Sequence, residues 1–125
     1  MKKGQDSHLI AIVDDDKSVQ SALQDLVEAD GFSARTFGSA EEFLESRLQR
    51  KVACLITDIR MPGMSGLELQ AKLKADGYRI PTIFITAHGD ARVRIQAMRE
   101  GAVEFLMKPF DDQVLLSRLH AALDM

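Results

Sequence analysis

Polar side chains follow four short apolar runs of this sequence, and together they form a set that could do chemistry. Three consecutive aspartates, Asp14 to Asp16, follow the run LIAIV, and Asp58 follows the run that begins ACLI. Thr86 ends the run IFIT, and Lys108 follows VEFLM. If these runs are parallel strands of one sheet, one edge of that sheet gathers at least three carboxylates, a hydroxyl and an ammonium.

Carboxylates gathered in this way require a cation. Two carboxylates about 4 Å apart repel by roughly 4 kcal/mol at an effective dielectric near 20. Lys108 can offset one charge, and a hard divalent ion offsets more. Mg²⁺ suits such a site because it takes carboxylate and carbonyl oxygens and keeps waters that an incoming phosphate can replace. An aspartate beside the ion is a competent nucleophile toward phosphorus, and the product is an aspartyl phosphate.

Five segments have the composition of β-strands. Four are short and apolar and contain β-branched residues, which favour extended backbone. A fifth segment, Phe32 to Phe37, is more polar. The four apolar segments are Leu9 to Val13, Ala53 to Ile56, Ile83 to Ile85 and Val103 to Met107.

Helical patterns separate these strands. Ser39 is followed three residues later by Glu42, which is the spacing of a capping box. The last segment, DDQVLLSRLHAAL, offers Asp111 or Asp112 as a helix cap. The first segment repeats apolar residues along one helical face, at Val19, Ala22, Leu23, Leu26 and Val27.

Two middle segments have weaker patterns. LELQAKL alternates apolar and polar residues as a strand does, but it lacks β-branching and consists of strong helix formers, so we predict a helix. ARVRIQAM is also predicted as a helix, although its amphipathic pattern is weak. Gly31, Gly77 and Gly101 lie just past proposed helices, where a left-handed conformation favours glycine.

Alternating strands and helices predict an α/β fold with a parallel sheet. Strands one, three and four are continuously apolar, as expected when helices cover both faces. The second strand carries Ser33, Arg35 and Thr36, and the fifth carries Glu104, which places both at the edges. This pattern matches the flavodoxin-like order 2-1-3-4-5, in which ligands bind beyond the carboxyl ends of strands one and three.

Composition limits the function classes. The 125 residues suffice for one domain with its own core, and 46% hydrophobic with 28% charged residues is typical of a soluble protein. A net charge of -3 without a basic face argues against direct nucleic-acid binding. The lone Cys54 fits a reducing compartment. Without a membrane-spanning stretch or a signal peptide, we expect a cytoplasmic domain at residues 8–125, preceded by a flexible arm at residues 1–7.

The motifs VDDD, TDIRMPGMSG, TA and KPF, in this order and spacing, resemble the receiver domain of bacterial response regulators. The resemblance runs from about His8 to Leu123. TFGSAEEFL and EGAVEFLMKPF further resemble the branch of nitrogen-fixation-type transcription regulators, which usually carry a helix-turn-helix output domain. The sequence ends at Met125 without such a domain, and whether one follows in a longer protein is left open.

The resemblance implies a role for each acidic residue. Asp58 is the expected phosphoacceptor. Asp15 and Asp58 are expected to bind Mg²⁺ directly, together with the backbone carbonyl of Arg60. Asp14 is expected to act mainly through a metal-bound water.

The resemblance also implies a switch. Lys108 is expected to pair with Asp58 or its phosphate, and a cis peptide is expected before Pro109. Thr86, followed by Ala87, is expected to bind a phosphoryl oxygen. Phe105 is expected to change rotamer with Thr86, although it lacks the hydroxyl of the tyrosine that the family often has there.

A sensor histidine kinase is the implied phosphodonor, and slow autodephosphorylation would end the signal. The expected readout is a change in the surface formed by helix four, strand five and helix five, through which the domain would form a homodimer on phosphorylation and control transcription. The helix-four residues expected on that surface are Arg92, Val93, Ile95 and Gln96.

Two other function classes use similar residues. A phosphatase of the haloacid dehalogenase type also has a nucleophilic aspartate and Mg²⁺, but it needs a second aspartate where this chain has Arg60. A receiver-like interaction module that never accepts phosphate usually loses an acidic residue, the threonine or the lysine, and this chain keeps them all.

Several residues have structural interpretations instead. Asp16 is expected to cap a helix, and Cys54 is expected to be a small core residue. Met61 and Met64 are interpreted as loop packing, and His88 as a solvated loop residue.

Overall fold

The structure is a computed structural model that describes residues 8–87 and 90–123. The expected N-terminal arm and the interpretation of His88 lie outside these residues. The five strands are β1 (Leu9–Val13), β2 (Ser33–Phe37), β3 (Val52–Thr57), β4 (Thr82–Thr86) and β5 (Glu104–Met107). They alternate with the helices α1 (Lys17–Ala29), α2 (Ala40–Ser46), α3 (Gly66–Ala75), α4 (Ala91–Arg99) and α5 (Asp112–Ala122).

All neighbouring strands pair in parallel, in the order β2-β1-β3-β4-β5. The predicted flavodoxin-like order is therefore confirmed, with the more polar β2 and β5 at the edges. Val13 of β1 lies beside Thr57 of β3, so the residues that follow these strands, Asp14 and Asp58, meet at one end of the sheet.

Helices cover both faces of the sheet. On one face, Leu23 and Val27 of α1 and Leu115 and Leu119 of α5 pack on the isoleucines of the central strands. On the other face, α2 and α3 pack on Ala11, Val13 and Leu55, while α4 packs beside them on a smaller cluster. Cys54 is fully buried in the first core, which confirms its structural interpretation, and burial raises the pKa of its thiol to about 12.

Capping contacts define where the helices begin. Asp16 caps α1 by accepting from the backbone N–H groups of Ser18 and Val19, and Asp111 caps α5 in the same way. The predicted capping box of α2 is only half present, because Ser39 accepts from the Glu42 N–H but Glu42 accepts from the Gly38 N–H.

A complete capping box occurs instead at α3, where the Ser65 hydroxyl accepts from the Glu68 N–H and Glu68 accepts from the Ser65 N–H. Both helices predicted from weak patterns are present. Gly31, Gly77 and Gly101 all have positive φ, as predicted for residues just past a helix. Among the described residues, no helix has the length and apolar character needed to cross a membrane.

Candidate functional site

Three carboxylates meet beyond the carboxyl ends of β1 and β3. One oxygen from each of Asp14, Asp15 and Asp58 lies within 4.8 Å of the other two. Asp14 is fully buried and Asp58 is 7% exposed, whereas Asp15 is open to solvent. The sequence prediction that these side chains share one edge of the sheet is therefore confirmed.

Lys108 neutralises part of this charge from the end of β5. Its Nζ donates to Asp14 Oδ2 at 3.0 Å and to Asp58 Oδ2 at 2.9 Å. Burial alone would lower the pKa of Lys108, but its hydrogen bonds and charge interactions with the two aspartates outweigh burial and raise that pKa. The lysine therefore stays charged and links the two buried carboxylates. The peptide bond between Lys108 and Pro109 is cis, the geometry that the resemblance implies.

Every polar atom of Asp14 has a partner. Its backbone N–H donates to the Phe37 carbonyl at 3.0 Å, and its carbonyl accepts from Gln20 Nε2 at 2.6 Å. Its Oδ1 accepts from the Asp16 N–H at 2.9 Å, and its Oδ2 accepts from Lys108. Burial raises the pKa of Asp14, and the hydrogen bonds from Asp16 and Lys108 oppose that rise only in part.

Asp58 is held by the loop that follows β3. Its Oδ1 accepts from the Ile59 N–H at 2.6 Å, and its carbonyl accepts from the Thr57 hydroxyl at 2.9 Å. Gly66 passes so close that a Cβ there would lie 2.1 Å from the Asp58 carbonyl oxygen. The first residue of α3 must therefore be glycine if the Asp58 backbone is to keep this position.

The loop between β3 and α3 is anchored on both sides of Arg60 by buried side chains and by a hydrogen bond to α2. Ile59 and Met61 are buried, whereas the Arg60 side chain is exposed. Glu41 of α2 accepts from the Met64 N–H at 2.9 Å, and Met64 packs against the core beneath, so both loop methionines pack as predicted. These contacts limit the directions that the Arg60 backbone can take.

The residues of the expected switch lie on β4 and β5. Thr86 is fully buried at the end of β4, and Ala87 beside it is exposed. Phe105 is 6% exposed, and its ring centroid lies 6.5 Å from that of Phe84. In this structure Phe105 is therefore packed inward.

Helix α4 has one buried residue, Ala97, so its attachment to the fold is slight. Arg92, Ile95 and Gln96 are exposed, while Val93 packs partly against the cluster that contains Phe84 and Phe105. Each of α4, β5 and α5 carries exposed large apolar side chains, namely Ile95, Met98, Met107 and Val114.

The donor set fits Mg²⁺. Three carboxylate oxygens within 4.8 Å of one another form an oxygen-rich site with one open side, at the solvent-exposed Asp15. Such a site suits a hard cation that retains some of its waters. The Lys108 ammonium occupies the side of the cluster formed by Asp14 and Asp58 and leaves Asp15 without a cationic partner among the described residues.

Two cavities lie on different parts of the protein. One of about 300 Å³ is lined by Lys108, Pro109 and Phe110 together with residues of α1 and α5. A larger one of about 740 Å³, at the opposite end of the sheet, is lined by residues such as Leu73 and Val103. Cavity size therefore does not mark the site, which is defined by the carboxylates and the lysine.

Sequence reasoning missed three side chains that support the site and its surroundings. Gln20 binds the Asp14 carbonyl, Glu41 binds the loop after β3, and Gln70 of α3 donates through Nε2 to the Ala97 carbonyl of α4 at 3.2 Å. No spacing or motif distinguishes these residues from ordinary surface polar residues of amphipathic helices.

Comparison with known proteins agrees with this geometry. Residues 10–120 match the response regulator receiver domain. The response regulator protein TodT of Pseudomonas putida is 46% identical over 115 residues, which cover 92% of this chain and 51% of TodT. The transcriptional regulatory protein FixJ of Azorhizobium caulinodans is 40% identical over 114 residues, covering 91% of this chain and 54% of FixJ.

Solved structures give the same result. The response regulator StyR is 47% identical and superposes with a TM-score of 0.86, covering 93% of this chain and 59% of that chain. The chain thus spans about half the length of the curated relatives it matches.

Proposed function

This chain belongs to the response regulator receiver domain family, and we propose that it is a phosphorylation-controlled signalling switch whose phosphoacceptor is Asp58. One observation supports this proposal above all. The Lys108 ammonium lies 2.9 Å from Asp58 and 3.0 Å from Asp14, in a cluster that Asp15 completes. A nucleophilic carboxylate, a fixed cation and a metal-binding side are thus combined at one edge of the sheet.

The proposed reaction moves a phosphoryl group from a phosphohistidine to Asp58. A carboxylate oxygen of Asp58 forms the new P–O bond, the P–N bond of the donor breaks, and its electron pair remains on the imidazole nitrogen, which takes up a proton. Lys108 stabilises negative charge on the transferring group because its pKa is raised and it stays protonated.

Asp15, Asp58 and the Arg60 carbonyl would hold Mg²⁺ directly, and Asp14 would act through a water molecule. When bound, the ion supplies positive charge that stabilises the phosphoryl oxygens during transfer. The protein itself provides the orientation. The backbone N–H of Ile59 donates to Asp58 Oδ1, and the backbone N–H of Asp16 donates to Asp14 Oδ1, so both carboxylates are fixed before a phosphodonor binds.

Phosphate on Asp58 would then be bound by residues at the end of β4. Thr86 and Ala87 would bind a phosphoryl oxygen, and Phe105 would change its packing as Thr86 moves. Because α4 has one buried residue, a small gain of contacts at the site can change its position. The altered surface, including Arg92, Val93, Ile95 and Gln96, would support a homodimer.

A sensor histidine kinase is the proposed partner, and the cytoplasm is the proposed location. Control of transcription is the proposed output, because FixJ, about half of which this chain covers, is a transcriptional regulatory protein. The domain itself would bind no nucleic acid. Its own catalysis would be confined to accepting the phosphoryl group and slowly hydrolysing the product.

Intact-mass measurement tests the proposal. Wild type and Asp58→Asn are incubated with acetyl phosphate and Mg²⁺, and the mass of each is recorded. Wild type should gain one phosphoryl group, and Asp58→Asn should gain none while remaining folded, because the amide is a poor nucleophile but preserves the shape of the side chain. Equal phosphate uptake by the two proteins would exclude Asp58 as the acceptor.

A further inference from the structure

Asp15 is the least constrained member of the carboxylate cluster. Among residues 8–87 and 90–123, no hydrogen bond or ion pair holds its carboxylate, and the side chain is exposed. Asp14 and Asp58, in contrast, are buried and are each held by Lys108 and by a backbone N–H group. The position of the Asp15 carboxylate therefore depends on the backbone that carries it.

That backbone is held from α1. Gln20, which is half-buried, donates from Nε2 to the Asp14 carbonyl oxygen at 2.6 Å. The Asp14 carbonyl belongs to the peptide group that joins Asp14 to Asp15. Because a peptide group is planar, a hydrogen bond to its oxygen restrains the orientation of the whole group and so the direction in which the Asp15 Cα continues.

We infer that Gln20 is a positioning residue for Asp15: its hydrogen bond to the Asp14 carbonyl directs the Asp15 carboxylate toward the side of the cluster where Mg²⁺ would bind. The inference rests on the proposed function, since it concerns the same metal site. Gln20 itself touches neither the metal nor the phosphoryl group. Hydrogen-bond partners just outside a metal's ligands typically contribute roughly 10–100-fold to metal affinity.

A purely structural role for Gln20 makes a different prediction. If Gln20 only satisfied a backbone carbonyl at the start of α1, its loss would lower the stability of the fold and leave the Mg²⁺ affinity of the folded protein unchanged. Mg²⁺ affinity, measured on folded protein, therefore separates positioning from stabilisation.

The experiment is a Mg²⁺ titration followed through the backbone amide signals of Asp16 and Ile59 in ¹H–¹⁵N NMR spectra. Gln20→Met keeps the length of the side chain and removes the donor. Its matched control is Gln24→Met, the same substitution on the same helix, where the amide donates to the exposed Glu28 carboxylate. Gln20→Met should bind Mg²⁺ about tenfold more weakly than wild type, and Gln24→Met should bind as wild type does.

A double-mutant cycle tests the route through Asp15. In an Asp15→Asn background, Gln20→Met should weaken Mg²⁺ binding no further, because the group that it positions has lost its charge. A full and additive loss in that background would overturn the inference, as would a Gln20→Met affinity equal to that of Gln24→Met. If wild type shows no saturable Mg²⁺ binding, the proposed function is itself contradicted. That result is distinguishable from a failure of the Gln20 inference alone, in which wild type binds Mg²⁺ and Gln20→Met binds it equally well.

Phosphorylation kinetics provide a second readout. With acetyl phosphate as donor, Gln20→Met should need a higher Mg²⁺ concentration for half-maximal rate and should reach the wild-type rate at saturating Mg²⁺. A lower maximal rate with an unchanged Mg²⁺ requirement would contradict positioning through the metal site. Gln20→Leu is the alternative variant if the NMR spectrum of Gln20→Met is not that of a folded protein.

Discussion

Asp14 is a carboxylate that the fold keeps buried at a cost in stability. Burial raises its pKa above the ordinary value of 3.8, which means that the charged form is less favourable in the folded protein than in the unfolded chain. Its meeting with Asp58 and Lys108 was predictable, because parallel strands end at one edge of the sheet. Its contact with Gln20 was not, since it depends on the rotamer of a side chain in an ordinary helix.

Replacing Asp14 should therefore stabilise the protein. Asp14→Asn should raise the free energy of unfolding at neutral pH, and this gain should shrink as the pH falls through the folded-state pKa of Asp14 toward 3.8, because wild type then becomes neutral at this position too. Urea unfolding at several pH values measures the effect.

Asp16→Asn is the control for this prediction. Hydrogen bonds from Ser18 and Val19 lower the pKa of Asp16, so its charged form favours the folded state and its replacement should bring no gain. A loss of stability in Asp14→Asn at neutral pH would contradict the interpretation of Asp14.

Among the elements, α4 combines a weak sequence pattern with slight attachment. Its sequence predicted a helix with little amphipathic character, and the structure shows one buried residue, Ala97. What the sequence could not indicate is a contact between α4 and α3: Gln70 of α3, 7% exposed, donates to the Ala97 carbonyl at 3.2 Å. The alternating sequence pattern around this glutamine does not indicate which residue its side chain contacts.

Gln70→Leu should loosen α4 while changing global stability little. The Ala97 carbonyl also accepts from the Ala102 N–H at 3.0 Å, and the Gln70 Oε1 has no partner among the described residues, so the substitution leaves no new buried polar group unpaired. We expect a change in unfolding free energy within about 1 kcal/mol and faster amide exchange in α4.

Hydrogen exchange followed by mass spectrometry measures this, with peptides from α1 as the internal reference. Unchanged exchange in α4 together with unchanged stability would mean that the Gln70 contact does not hold the helix.

The half-present capping box of α2 and the complete one of α3 show the same limit of sequence reasoning, because both have the same spacing and only local backbone geometry separates them.

At the scale of the whole molecule, the paired strands β4 and β5 connect the site to the proposed output surface. Thr86 ends β4, and it pairs in the sheet with Met107 of β5, whose side chain is exposed on that surface. Strand order and edge strands could be predicted from strand polarity alone. A single sequence does not indicate that the chain can change between two packings.

Activation should produce self-association through this surface. Beryllofluoride with Mg²⁺, which mimics the phosphoryl group on Asp58, should convert wild type to a dimer in sedimentation velocity experiments. Thr86→Ala should remain largely monomeric, because it lacks the hydroxyl that would bind this group. Ile95→Asp, a change at a residue 54% exposed in the monomer, should also prevent association. Equal association of Thr86→Ala and wild type would contradict the coupling through Thr86.

The most direct test of the account is chemical mapping of the phosphorylated residue. After treatment with acetyl phosphate and Mg²⁺, borohydride reduces an aspartyl phosphate to homoserine, and tandem mass spectrometry of the peptides locates it. Homoserine is expected at position 58 and unmodified aspartate at positions 14 and 15. Homoserine at either of those positions, or an Asp58 that stays unmodified in protein that has gained phosphate, would contradict it.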